Sequence, residues 1–92
     1  MKSLGLAGPW PNPATNQVEI NLSNPSDGQR VIDLSLYDMN GHLVEKVLNA
    51  AIGNESTMNL RWTPKGTLSS GVYIWRLSSQ GLSIEKSMII LH

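Results

Sequence analysis

The chain has 92 residues, which allows one domain and no more. Seven Lys plus Arg balance seven Asp plus Glu, so electrostatics offers no ground for a nucleic-acid or anionic-membrane partner. Without cysteine there is neither a disulfide nor a thiolate metal site, and no apolar run approaches the about 18 residues needed to span a bilayer as a helix.

Residues 1–9 read as a linker to an upstream domain: small, glycine-bearing and without periodicity. Met1-Lys2 followed by Leu4-Gly5-Leu6-Ala7 is too short and too glycine-rich for a signal peptide. The chain is therefore expected to be a module of a larger parent that carries any export signal itself. Pro9, Pro11 and Pro13 force an extended path, because proline fixes its own φ and pushes the preceding residue out of the helical region. Asn12-Pro13-Ala14-Thr15 fits a turn with proline at its second position. Trp10, set among these prolines, is expected to plug one end of the domain.

From there to residue 92 the apolar period is two. Val18, Ile20 and Leu22 alternate with Glu19 and Asn21; Ile32, Leu34 and Leu36 with Val31, Asp33 and Ser35; Met58, Leu60 and Trp62 with Thr57, Asn59 and Arg61; Tyr73, Trp75 and Leu77 with Ile74 and Arg76. Such runs are strands with one buried and one wet face. In 42–48 the phase is ambiguous, since Leu43 and Val47 are apolar beside Val44 and Leu48. Residues 49–55 read as a loop with a helical turn. In 82–91 the alternation fails near Lys86-Ser87, which suggests a bulge or an edge strand. Turn signals at Asn24-Pro25-Ser26-Asp27-Gly28, Asp38-Met39-Asn40-Gly41, Gly53-Asn54, Pro64-Lys65-Gly66 and Gln80-Gly81 separate the runs. Six or seven short strands so spaced predict an all-β fold, an immunoglobulin-like antiparallel β-sandwich over residues 10–92. Ile20, Leu34, Leu36, Leu60, Trp62, Tyr73, Trp75 and Leu77 form its expected core.

Few residues invite chemistry. Asp38-x-Asn40-Gly41 looks like the start of a calcium loop, but the further alternate ligands and the distal Glu are missing. It reads as a type I turn in which Asp38 caps and Gly41 takes positive φ. His42 and His92 lack neighbours at ligand spacing, and no serine sits in a Gly-x-Ser-x-Gly elbow. No catalytic residue, metal or cofactor is expected. Trp62 and Trp75 fall in phase with inward positions and read as core. Exposed aromatics on a β-sandwich can stack on sugars, and Trp10 is the candidate for that role. Asn21-Leu22-Ser23 and Asn54-Glu55-Ser56 match the glycosylation sequon, a motif too common to carry weight. Leu68-x4-Tyr73 reads as a tyrosine corner, with Gly71 at the bend and the phenol bonded back to upstream backbone.

Four motifs in order are more specific than any one of them: Trp10-Pro11-Asn12-Pro13, Tyr37-Asp38-Met39-Asn40-Gly41-His42-Leu43-Val44, Gly71-Val72-Tyr73 and Glu85-Lys86-Ser87-Met88-Ile89-Ile90-Leu91. Together they resemble the C-terminal sorting domains (type A) of type IX secretion cargo in Bacteroidota. The scaffold is also similar to the immunoglobulin-like domain of flagellar hook-capping proteins. The first resemblance implies a monomeric secretion signal that directs a covalently linked upstream cargo through the outer-membrane type IX translocon. A surface sortase would then remove it near residues 1–9 and anchor the cargo at the cell surface. It further implies that Pro11, Asn12, Pro13, Gly41, Val44, Gly71, Tyr73, Lys86, Met88 and Ile90 form the sorting motif, by recognition or by shaping the fold. Trp10 stands where Tyr or Phe is usual, and Glu85-Lys86 where two lysines are. An immunoglobulin-like spacer or cell-attachment module is the second reading and a carbohydrate-binding module the third.

Overall fold

A computed structural model describes residues 4–11, 17–24, 28–53, 56–66 and 68–91. Seven strands form two antiparallel sheets: β1 (Gly5–Trp10), β2 (Val18–Asn24), β3 (Arg30–Asp38), β4 (Leu43–Ile52), β5 (Ser56–Trp62), β6 (Gly71–Ser79) and β7 (Leu82–Ile90). One sheet has the order β1-β2-β5 and the other β4-β3-β6-β7. The four strands with period two in the sequence, β2, β3, β5 and β6, alternate between a core face and an outer one, with Ser35 on the outer row of β3 also buried. No helix occurs among the described residues.

Both sheets turn their apolar rows inward. Ile20, Leu34, Leu36, Trp75, Leu77 and Met88 are fully buried, with Trp62 and Tyr73 nearly so. Across the layer the Trp62 and Trp75 rings meet edge-to-face, centroids 5.0 Å apart at 89°, the arrangement their quadrupoles favour. Each indole N–H has a partner: Trp62 donates to Glu45 Oε1 at 3.3 Å and Trp75 to Met88 Sδ at 3.3 Å. Leu60 differs from expectation in being only half-buried, because β5 is a free edge of its sheet. Its cross-strand partner Ile20, on the central strand, is fully covered.

The largest correction concerns the amino-terminal residues. Gly5–Trp10, read as linker through residue 9, pairs with β2 as a third strand, and Leu4 and Leu6 join the core at 5% and 7% exposure. Proline is tolerated there because β1 is an edge. The alternation that begins at Leu4 and Leu6 breaks between Ala7 and Trp10. Three chain steps there oppose two on β2, from Asn21 to Glu19, and the Gly8–Pro9 and Trp10–Pro11 bonds are cis.

A second correction shortens the loop expected at 49–55: residues 49–52 belong to β4, which runs on to Ile52, paired with Arg30, while Asn54 and Glu55 fall outside the described residues. β4 was hard to read because it carries two bulges. Leu34 opposes Leu48 but Ser35 opposes Lys46, leaving Val47 extra; Leu36 opposes Glu45 but Tyr37 opposes Leu43, leaving Val44 extra. Both valines still pack against the core, so apolar residues double up at each bulge. β7 is an edge without a bulge, in unbroken register with β6 from Gly71↔Ile90 to Ser79↔Leu82.

Asn24 closes the end of the sandwich away from the two tryptophans. It is fully buried, and its Nδ2 donates toward the carbonyls of Gly28 (2.8 Å), Gly53 (3.1 Å) and Ile52 (3.4 Å). One amide thus ties the end of β2 to the start of β3 and the end of β4, across both sheets. Replacing it by Ala removes these bonds from one buried and two partly buried carbonyls, a loss of about 1–3 kcal/mol in all. The Asn24→Ala variant should melt roughly 10 °C lower; an unchanged thermal melt would show that the tie is idle.

Candidate functional site

Strand directions gather the scattered motifs at one end. Tyr73 pairs with Asp38 on one side and Met88 on the other, so the end of β3, the start of β6 and the end of β7 lie together. In the facing sheet Trp10 pairs with Glu19 and Val18 with Trp62. Trp62 packs on Trp75 and bonds Glu45, near the start of β4. Trp10-Pro11, the 38–44 turn, Gly71–Tyr73 and the end of β7 therefore share this end, and Asn24 marks the other. Asn12 and Pro13, together with His92, fall outside the described residues.

The 38–42 hairpin loop is built by one carboxylate. Asp38 Oδ1 accepts from the backbone N–H groups of Asn40 and His42, both at 2.9 Å. The main chain closes with Asp38 N–H on His42 O at 3.0 Å and Gly41 N–H on Asp38 O at 3.1 Å. Gly41 sits at φ +85°, where a side chain would be strained. His42 Nδ1 lies 3.4 Å from Asp38 Oδ2. With both Asp38 oxygens so engaged, the motif acts as a turn.

Gly71 and Tyr73 make the corner. The Tyr73 hydroxyl donates to Ser69 O at 2.8 Å, and its ring is buried. Val44 is half-buried at its bulge against the core. Met88 and Ile90 are inward at 0% and 2% exposure, so these two motif residues hold the fold and offer no surface. The outward residues between and after them were missed: Ile89 is 41% and Leu91 48% exposed. On the same end Leu43 and Met39 are also exposed. The signal for Ile89 was present, since the odd member of an aliphatic run on an edge strand must face outward.

Lys86 and its neighbour point to opposite faces. Glu85, opposite Arg76 on the outer face, accepts two bonds from that guanidinium at 2.7 and 2.9 Å, which raise the Arg76 pKa above its ordinary value. Arg76 in turn lies 5.2 Å above the Tyr37 ring. Lys86 opposes Trp75 on the inward side, yet is exposed because β7 is the sheet edge. A charge at an inward edge position is a known guard against edge-to-edge pairing. The outer face of the four-stranded sheet holds a shallow depression of about 550 Å³ around Asp33, Ser35, Lys46 and Asn49. Asp33 there already accepts from Ser35 and Asn49. Among the described residues no cluster of His, Asp and Glu is arranged to hold a metal ion, and no helix is long and apolar enough to cross a membrane.

Two measurements probe these turns. The backbone N–H of His42, followed by that of Asn40, holds the Asp38 carboxyl below its ordinary value of 3.8. A depressed carboxyl stabilises the fold fully above its unfolded pKa of about 3.9 and loses that contribution as pH falls through the folded value. The Asp38→Ala variant should therefore melt below the native protein at pH 7, and the gap should narrow below pH of about 4. A gap independent of pH would contradict the assignment. Tyr73→Phe, which removes one buried hydroxyl and leaves Ser69 O unpaired, should cost about 1–2 kcal/mol in denaturant unfolding; no loss would refute the corner bond.

No curated protein and no solved structure matches the chain. A family model described as a secretion system C-terminal sorting domain matches residues 9–91, a stretch that takes in the end of β1, all of β2 to β7 and all four motifs. By that match the chain belongs to the type IX secretion system C-terminal sorting domains.

Proposed function

We propose that this domain is a non-catalytic address module, read by the type IX machinery at its motif end. As a sorting tail it implies an upstream cargo and export of the parent to the cell surface or beyond. The observation that carries the finer reading is the convergence of four motifs, spread from Trp10 to Leu91, on one end of the sandwich. Within that end, Gly41, Gly71, Tyr73, Met88 and Ile90 set turns and core, which leaves Ile89, Leu91 and Lys86 on β7, with Met39 and Leu43 beside them, as side chains a translocon component can touch. Strand addition at a sheet edge, with alternate side chains in pockets, is an established way to read an extended segment. Removal by a surface sortase belongs to the same proposal. The pairing of β1 and the burial of Leu4 and Leu6 favour a cut before Leu4 in this proposal, since the released domain then keeps its sheet.

An immunoglobulin-like spacer is the second reading. β1 starts at the Asn24 end, with Gly5 opposite Ser23, while β7 finishes at the other, the polarity of modules strung in series.

The test fuses the domain to the C-terminus of a periplasmically exported reporter in a bacterium with the type IX system. The native fusion should reach the surface or medium. The Ile89→Ser/Leu91→Ser double variant should melt close to the native domain, both side chains being exposed, yet leave most of the reporter in the periplasm. Equal export of the double variant would remove these side chains from the recognised surface. Retention of the native fusion would sink the sorting role and favour the spacer.

A further inference from the structure

Of the three tryptophans, Trp10 alone lies outside the core, at 42% exposure. It does not plug the end of the sandwich as the sequence suggested. The extra residue between Ala7 and Trp10 shifts the alternation by one, so Trp10 pairs with Glu19 and lands on the outer face of the three-stranded sheet. There the indole rests against Gly8: a Cβ on that glycine would come within 2.4 Å of the ring carbon Cε3. Gly8 also sits at φ +98°, which disfavours any side chain a second time. The ring carbons Cε3 and Cζ3 thus lie close to the Gly8 backbone, while 42% of the side chain stays open to solvent. The indole N–H has no partner among the described residues.

The surroundings are polar and electrically balanced. Beside Trp10 across the strands, Glu19 Oε1 accepts from Arg61 Nε at 3.1 Å, so their charges cancel locally. One pleat along the same face, Asn59 Nδ2 donates to Asn21 Oδ1 at 2.6 Å. Strand spacing places Glu19 about 5 Å and Arg61 about 10 Å from Trp10, with Asn21 roughly 7 Å along the sheet.

We propose that this face is a carbohydrate-stacking platform for a neutral pyranose chain with equatorial hydroxyls. The axial C–H face of one sugar covers the Trp10 ring, apolar surface on a π face. Its hydroxyls exchange hydrogen bonds with the indole N–H, Asn21, Asn59 and the exposed guanidinium nitrogens of Arg61, the few placed polar groups that orient a ligand. With Glu19 and Arg61 paired, the face carries no net charge and gives an acidic glycan no electrostatic advantage over a neutral one. The platform lies on a different sheet from the Ile89–Leu91 strand and does not depend on the sorting role.

Indole N–H resonances of the whole domain test this directly, with cellohexaose and xylohexaose as probes and oligogalacturonate as the acidic control. The Trp10 signal should move and saturate with at least one neutral probe, while those of Trp62 and Trp75, buried and already bonded, stay in place. Calorimetry should show binding lost in Trp10→Ala, partly kept in Trp10→Tyr and weakened in Asn59→Ala, each variant melting close to the native domain. The proposal is overturned if neither neutral probe moves the Trp10 signal at its solubility limit, if only the acidic control binds, or if Trp10→Ala binds as well as the native protein.

Discussion

The edge-to-face contact of Trp62 with Trp75 joins the two sheets, and the rest of the sandwich is arranged around it. Trp75 comes from β6, which pairs with both β3 and β7, and Trp62 comes from the end of β5. Their N–H groups are bonded sideways, to Met88 on β7 and Glu45 on β4. One aromatic pair therefore fixes the spacing of the layers and the positions of both edges of the four-stranded sheet. A domain of this size has a thin core, and a displaced ring here would be felt on five strands at once. Asn24 does by hydrogen bonds at one end what the tryptophans do by packing toward the other.

This division of labour explains which motif residues are architecture. Asp38 is held by amides of its own turn, Tyr73 by a carbonyl four residues upstream, and Met88 by an indole. A residue so engaged is needed whether or not a receptor ever touches it. The residues open to a partner are interleaved with these and look ordinary beside them. Ile89 differs from Ile90 only by one step of the pleat, yet the two are 41% and 2% exposed.

How legible each element was in the sequence follows from the same geometry. β2, β3, β5 and β6 announce themselves by alternation, because none of them carries an extra residue and each has a core on one side; at the β3–β4 shifts the extra residues belong to β4. β4 is obscure because Val44 and Val47 are bulge residues, and each puts two apolar neighbours where alternation allows one. β1 is obscure because its own bulge lies only two residues after Leu6, so no run is long enough to show a period. That same bulge turned Trp10 outward, and nothing in the local composition marks it. In β7 the inward row includes Lys86, a charge that burial patterns do not anticipate and that only an edge position tolerates. The turns were legible from chemistry alone: Asp38 to Gly41 and the corner at Tyr73 carry their own hydrogen-bond partners within four residues. Convergence was not legible, since it arises from which strands pair and in which direction.

The direction of β1 has a mechanical consequence. Its first residue lies at the Asn24 end and its last beside Glu19, near the motif end. A receptor holding the motif end and a tethered protein dragging on the chain before β1 would pull β1 lengthwise past β2. Every hydrogen bond of that ladder then carries load together, as in a shear joint, and none opens first as in a zipper. A strand that looks like the weakest of the seven, short, proline-bearing and at an edge, is thus mounted in the orientation that resists force best.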